Sequence, residues 1–298
     1  MLITDDLVLA IEPHCFRRWA ETLKAHAHDV SLLAKVHSPE AAAGLIPGRK
    51  SVGDIAVVDL SGFITQKPSL FSVLFGGTSA EGLTRMVRAA MADQAIGSVV
   101  LNIDSPGGVV HGVPEAAAAI RAMRGTKPMV AVANPLAASA AYWIAAQADE
   151  IVGIPSSITG SIGAKVVHVD ESAALAREGL AVTEIVYGRR KAEGTSAKPL
   201  SDEALQAIQG QVNYFGRLFE ADVAKGRRVQ VNTVRASYGE GSTFTADSAK
   251  NAGLIDRVAT LEEVIGQLAR GYKPGIRPAA ASDPAEIAAL AALAGIRL

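Results

Sequence analysis

The stretch IGSVVLNIDSPGG, Ile96 to Gly108, decides the fold. Its apolar run from Val99 to Ile103 is short and β-branched, and it ends in a glycine pair. That pattern predicts a strand buried on both faces, followed by a sharp turn. The neighbouring segments repeat the theme. DIAVVDLSG (Asp54–Gly62) predicts a buried strand, and SAEGLTRMVRAAMADQA predicts an amphipathic helix that starts near Ser79 with Leu83, Met86, Val87 and Ala90 on one face. GVPEAAAAIRAMRG (Gly112–Gly125) predicts a helix and KPMVAVAN (Lys127–Asn134) a third strand. A helix opens at Ser139, and DEIVGIP (Asp149–Pro155) is a fourth strand. AVTEIVYG (Ala181–Gly188) reads as one strand more. SDEALQAIQGQVNYFGRLFEADVAKG (Ser201–Gly226) is a long helix capped by Ser201, with Leu205, Ile208, Val212, Phe215, Phe219 and Val223 along one side. Buried strands alternating with helices predict an α/β fold, a parallel sheet flanked by helices.

The flanks differ. Residues 1–50 read as an N-terminal helical arm and connector. EPHCFRRWAETLKAHA carries Phe16, Trp19 and Leu23 at helical spacing, and Ser38 to Asp54 is rich in Pro, Gly and Ala. Residues 51–270 hold the α/β domain itself. Residues 271–298 read as a linker with Pro274, Pro278 and Pro284, then a short alanine-leucine helix capped by Asp283, a docking tail or a helix packed on its own domain.

Of 298 residues, 49% are hydrophobic and 20% charged, with a formal net charge of −1, so the chain can bury a large core and carries no basic stripe for nucleic acid. Its one cysteine, Cys15, excludes an intrachain disulfide and a cysteine-based zinc site. No apolar run reaches the roughly 18 residues of a membrane span, and the acidic start, with Asp5 and Asp6, is unlike a signal peptide. A soluble chain without metal or cofactor is the expectation.

Chemistry gathers at two turns. DSPGG (Asp104–Gly108) exposes backbone N–H groups after a strand, without the Gly-Lys-Ser/Thr of a phosphate loop or the GxGxxG of a dinucleotide site. NPLAASAAYW (Asn134–Trp143) places Ser139 at the next strand-to-helix turn, within a run of alanines. Either feature alone is usually packing. Together, at the carboxyl ends of neighbouring parallel strands, they place a nucleophile beside oxyanion donors, the minimal kit for acyl transfer. Two bases are open. His168 with Asp170 in AKVVHVD would give a triad with Ser139. Lys191 in VYGRRKAEGTSAKPLS would serve if held in a dry pocket, with Arg189 and Arg190 helping to disfavour its charge.

SPGG (Ser105–Gly108), AASAAYW (Ala137–Trp143), TGSIG (Thr159–Gly163) and a lysine loop before a long helix resemble, in order and spacing, the serine–lysine peptidases of the signal peptide peptidase A family. The helical arm and the form of the lysine loop look most like its phage branch, the head maturation or capsid assembly proteases. The resemblance implies a Clp-protease/crotonase-like fold and homo-oligomeric assembly. It implies Ser139 as nucleophile, Lys191 as general base, Ser161 orienting the lysine, and backbone N–H groups of Gly107 or Gly108 and of Ala140 as the oxyanion hole. In some relatives the lysine comes from a neighbouring subunit. Scaffold, portal or coat protein, or the enzyme itself, would be its substrate or partner, met in the cytoplasm of a bacterial host and inside the prohead. Two departures stand out. Ala140 and Ala141 replace the glycines usual after the serine, and no membrane anchor is visible. Two other readings remain, a cytoplasmic peptidase of signal peptides or oligopeptides, and a crotonase-like acyl-CoA enzyme or inactive scaffold.

Overall fold

A computed structural model describes residues 9–11, 49–68 and 77–275. Its strands are β1 (Leu9–Ile11), β2 (Arg49–Val52), β3 (Ile55–Thr65), β4 (Gly77–Ser79), β5 (Ser98–Val109), β6 (Met129–Ala138), β7 (Glu150–Gly153), β8 (Ile158–Gly160), β9 (Thr243–Thr245) and β10 (Arg257–Val258). The helices are α1 (Ala80–Ala92), α2 (Val113–Ala122), α3 (Ala140–Ala145), α4 (Ser172–Arg177), α5 (Asp202–Arg227), α6 (Val231–Ser237), α7 (Ala246–Ala252) and α8 (Leu261–Ala269). The spine runs β10-β7-β6-β5-β3-β2. All neighbours from β10 to β3 pair in parallel, and only β2 joins antiparallel. This is the parallel sheet with flanking helices that the alternation predicts.

The strands read as continuous apolar runs because both faces are covered. On β3, Ala56, Val58 and Leu60 face the helical core that α1, α2 and α3 build with Leu83, Val87, Ile120 and Trp143. Ile55 and Val57 face the other way, with Val100, Val130, Val132 and Val152, onto Val264 and Leu268 of α8. That second helix starts in a capping box: Thr260 accepts from the Glu263 N–H, and Glu263 accepts from the Thr260 N–H. Further along the strands, the second-face positions become Asp59, Asn102 and Asn134. They pair with one another, Asn102 Nδ2 donating to Asp59 (2.8 Å) and Asn134 Nδ2 to Asn102 (3.0 Å). The side-chain period of two fixes these positions on one face.

Three local expectations change. Ala181–Gly188 forms no strand. It has no regular structure, bends at Tyr187 and Gly188, and is exposed, Ile185 at 94% and Tyr187 at 100%, with no strand partner among the described residues. Without a ladder to join, its β-branched composition cannot make it a strand. The long helix forms and Ser201 caps it by accepting from the Ala204 N–H (3.2 Å). However, Phe219 and Val223 of its second half are buried, whereas in its first half Ala204 is buried and Leu205 is 51% exposed. In the N-terminal arm, Leu9–Ile11 is a strand and residues 49–50 begin another. The predicted arm helix with Cys15, and the tail from residue 276 to 298, lie outside the described residues.

One half-buried arginine closes the end of the central helix. Arg124 donates to the carbonyls of Ala146 (3.1 Å), Gln147 (2.7 Å) and Gly226 (2.7 Å), and also to Ala148. These are carbonyls that a helix end leaves without intrahelical partners. Burial lowers the guanidinium pKa to about 10, against the pull of Asp149. An Arg124→Met change keeps the volume but strands those acceptors. A urea melt should show a loss of about 3 kcal/mol, the scale of several orphaned buried carbonyls.

Candidate active site

Strands β5 and β6 run in register up to Ile103↔Ala133. Ser105 then pairs with Ala137, so β6 spends four residues where β5 spends two. Such a bulge bends a strand and re-aims the residues after it. Beyond it the two strands part. The end of β6 pairs instead with β8, Ala137↔Thr159 and Ala138↔Gly160, and β8 pairs with β9. The end of β5 stays with β3, Phe63↔Gly107 and Ile64↔Gly108. Ser139 and Gly107 each lie two residues past the last shared pair, on opposite lips of the opening.

Ser139 sits on the turn from β6 into α3 with φ 55 and ψ −123, a conformation rare for any residue with a Cβ. Strain of this kind costs of order 1–3 kcal/mol and persists only where the surroundings enforce it. Here they do. The Ser139 N–H donates to Gly160 (2.7 Å), and its carbonyl accepts from the Trp143 N–H (2.9 Å). Every residue of α3 is buried. Trp143 stacks on Phe219 at 4.3 Å with the rings nearly parallel, and its Nε1 donates to Asp222 (3.1 Å). The Tyr142 hydroxyl donates to the Leu254 carbonyl (2.7 Å). The alanines ahead of these rings let strand and helix pack closely. The Ser139 side chain does not cap its own helix.

Ser161 follows directly on the Ala138↔Gly160 pair and so lies beside Ser139. It is buried, shares the φ of 55, and its N–H donates to Ser242 (2.7 Å). On the other lip, the Gly107 N–H is held by Ser105 Oγ (3.2 Å), whose hydroxyl donates to Gly62 (2.6 Å). Gly108 has no room for a side chain, since a Cβ there would stand 2.0 Å from the Ile64 carbonyl oxygen.

Lys191 is placed differently. It lies in a turn, its N–H donating to Gly188 (3.0 Å), and its side chain is exposed, with no hydrogen bond or ion pair among the described residues. Arg189 pairs with Glu203 (3.4 Å) and Arg190 with Glu193 (2.9 Å), so their charge is directed at carboxylates rather than at the lysine. The loop lines an open pocket of about 250 Å³, bounded by residues between Arg189 and Ala204, and Ser139 is not among them. The residues of the histidine option have partners of their own. His168 Nε2 bonds the Thr195 carbonyl (3.0 Å), and Asp170 is held by Ser172, whose hydroxyl first and whose N–H (2.9 Å) second lower the Asp170 pKa. His111 packs edge-on against Phe215. Among the described residues no group of histidines, cysteines and carboxylates could hold a metal ion, and no helix is long and apolar enough to cross a membrane.

Residues 121–273, just over half of the chain, match peptidase family S49. The chain belongs to that family. The matched region contains Ser139, Ser161 and Lys191, and the glycine turn lies ahead of it. The Head-tail preconnector protein GP5 of Enterobacteria phage P21 is 30% identical over 79% of this chain and 47% of its own length. The Capsid assembly protease C of Escherichia phage lambda is 28% identical over 71% of this chain and 48% of its own. Protease 4 of Salmonella typhi is 29% identical over 73% and 34%. The chain thus spans about half the length of the phage relatives it matches. The solved structure of the 1510-N membrane-bound stomatin-specific protease aligns with a TM-score of 0.45 at 16% identity, over 73% of this chain and 86% of that one.

Sequence reasoning missed the Ser105 hydroxyl as the brace of the glycine turn, and Asp222 as the partner of Trp143. Each is one polar residue whose role depends on a contact far away in the chain. If the glycine at 108 is required by the Ile64 backbone, Gly108→Ala should cost about 1–3 kcal/mol by overpacking. Differential scanning calorimetry would record this as a lowered midpoint, whereas an unchanged midpoint would mean that β5 and β3 can separate freely.

Proposed function

We propose that this chain is a serine endopeptidase with a serine–lysine dyad. The observation that carries the reading is Ser139 itself, a buried serine held at positive φ on a strand-to-helix turn, beside Ser161 and across from a braced glycine turn, in a chain of peptidase family S49. Ser139 Oγ attacks the peptide carbonyl carbon while Lys191 Nζ takes its proton. The carbonyl oxygen becomes an oxyanion held by the Gly108 and Ala140 N–H groups. Gly108 serves better than Gly107, whose N–H already bonds Ser105. Collapse breaks the C–N bond and returns the proton to the leaving amine. Water then hydrolyses the acyl-enzyme, with Lys191 again as base. Ser161 orients the lysine amine.

A lysine base needs dry surroundings, and Lys191 lies on a strip that the single chain leaves open. Ile185, Tyr187 and Leu205 are exposed along it. A second copy covering that strip would bury the loop and complete the site, which supports a homo-oligomer in which the dyad forms within or between subunits. The name of one phage relative, a capsid assembly protease, supports capsid assembly proteins as substrates; scaffold, portal or the enzyme itself, cut in the bacterial cytoplasm within the prohead, are the substrates we propose. Residues 271–298 would then dock the enzyme to scaffold or coat protein. The likeness to Protease 4 supports a second reading, a cytoplasmic peptidase of signal peptides or oligopeptides.

The test is cleavage of coexpressed scaffold and capsid proteins, read on a gel with mass spectrometry. Ser139→Ala and Lys191→Ala should each lower turnover by about 10⁶-fold, the scale of loss on removing a nucleophile or its base. His168→Ala should cut normally. Loss with His168→Ala and retention with Lys191→Ala would replace the dyad by a histidine triad.

A further inference from the structure

The slot between the lips is occupied. Strand β1 pairs antiparallel with the end of β5: Leu9↔Val109, Ala10↔Gly108 and Ile11↔Gly107. One edge of Gly107 and Gly108 already belongs to β3. Strand β1 therefore lies on the other edge, the one that β6 holds at Ser105↔Ala137 and then leaves. Ile11 stands opposite Gly107, and Gly107 is level by strand count with Ser139.

We propose that Leu9–Ile11 is a built-in competitor for the substrate. The inference rests on the serine peptidase reading above. If Ser139 attacks from the β6 lip and the oxyanion donors stand on the β5 lip, the scissile carbonyl must lie between them. An extended peptide reaches that place by adding as a strand to the free edge of β5, with main-chain hydrogen bonds supplying affinity. That edge is the one the chain's own N-terminal strand holds. Each substrate must displace β1 before it can be cut. The occupant is a single three-residue strand, so local opening is cheap compared with global unfolding. An enzyme whose competent state is a minor population binds its substrate more weakly by that fraction.

The experiment uses the full chain and hydrolysis of an alanine tripeptide p-nitrophenyl ester. In a Cys15→Ser background, Leu9→Cys with Val109→Cys puts two thiols on directly opposite residues, within reach of a disulfide. Oxidation should stop turnover and reduction should restore it. Independently, Ala10→Pro, which removes a backbone donor from the middle of β1, should raise kcat/KM about tenfold, the factor expected if the closed form holds about nine molecules in ten. A synthetic peptide covering residues 6–14 should inhibit that variant competitively. Turnover by the oxidised chain at the rate of the reduced one would overturn the proposal, as would failure of the pair to cross-link at all. Turnover unaffected by Ser139→Ala would instead sink the serine assignment, and this inference with it.

Discussion

Two parallel strands stop sharing hydrogen bonds after one pair, Ser105↔Ala137, and the candidate site is the consequence. Up to that pair the sheet is an ordinary covered α/β core. Past it, β5 keeps β3 as neighbour and β6 takes β8, so two strand ends diverge and leave a slot. In an open parallel sheet, sites gather outside the carboxyl ends of strands where neighbouring chains part. The bulge in β6 makes that parting sharp. Ser139, Ser161 and the glycine pair owe their positions to it rather than to any contact among themselves.

The strained serine needs a rigid support, and the support is apolar. The short helix α3 has too few residues to be stable by itself. It is held because Tyr142 and Trp143 are wholly buried, with Phe219 stacked on the indole and Asp222 accepting its N–H. At its far end Arg124 gathers the loose carbonyls. Gly226 of α5 lies so close that a Cβ there would stand 2.2 Å from the Ala146 carbonyl oxygen. The second half of α5 is therefore part of the scaffold of the candidate site. Its first half, with the lysine loop ahead of it, carries exposed apolar side chains, among them Ile185, Tyr187 and Leu205.

Much of this is legible in the sequence because it depends on neighbours in the chain. The apolar runs at Val99–Ile103 and Met129–Ala133 reveal strands buried on both faces, and Ser79 and Ser201 reveal helix starts. Ser139 and the glycine pair stand out because small residues crowd turns where backbones approach. What is not legible depends on distant contacts. Ala181–Gly188 has the composition of a strand, but composition does not supply a partner. Nothing local in Leu9–Ile11 announces that it fills the slot beside Gly107, some hundred residues away. Lys191 is recognised by resemblance to a family, and its placement on an exposed loop shows why. The role proposed for it calls for drier surroundings than this exposed loop has.

The central claim is that the turn at Ser139 makes its hydroxyl the nucleophile. The most direct measurement is the site of acylation. The chain is mixed with a peptide p-nitrophenyl ester, quenched in acid during the first turnover, digested and sequenced by mass spectrometry. The serine mechanism predicts one acyl group per site, carried on Ser139 and absent from Ser139→Ala. An acyl group on any other residue, or a nitrophenol burst that survives Ser139→Ala, would contradict it.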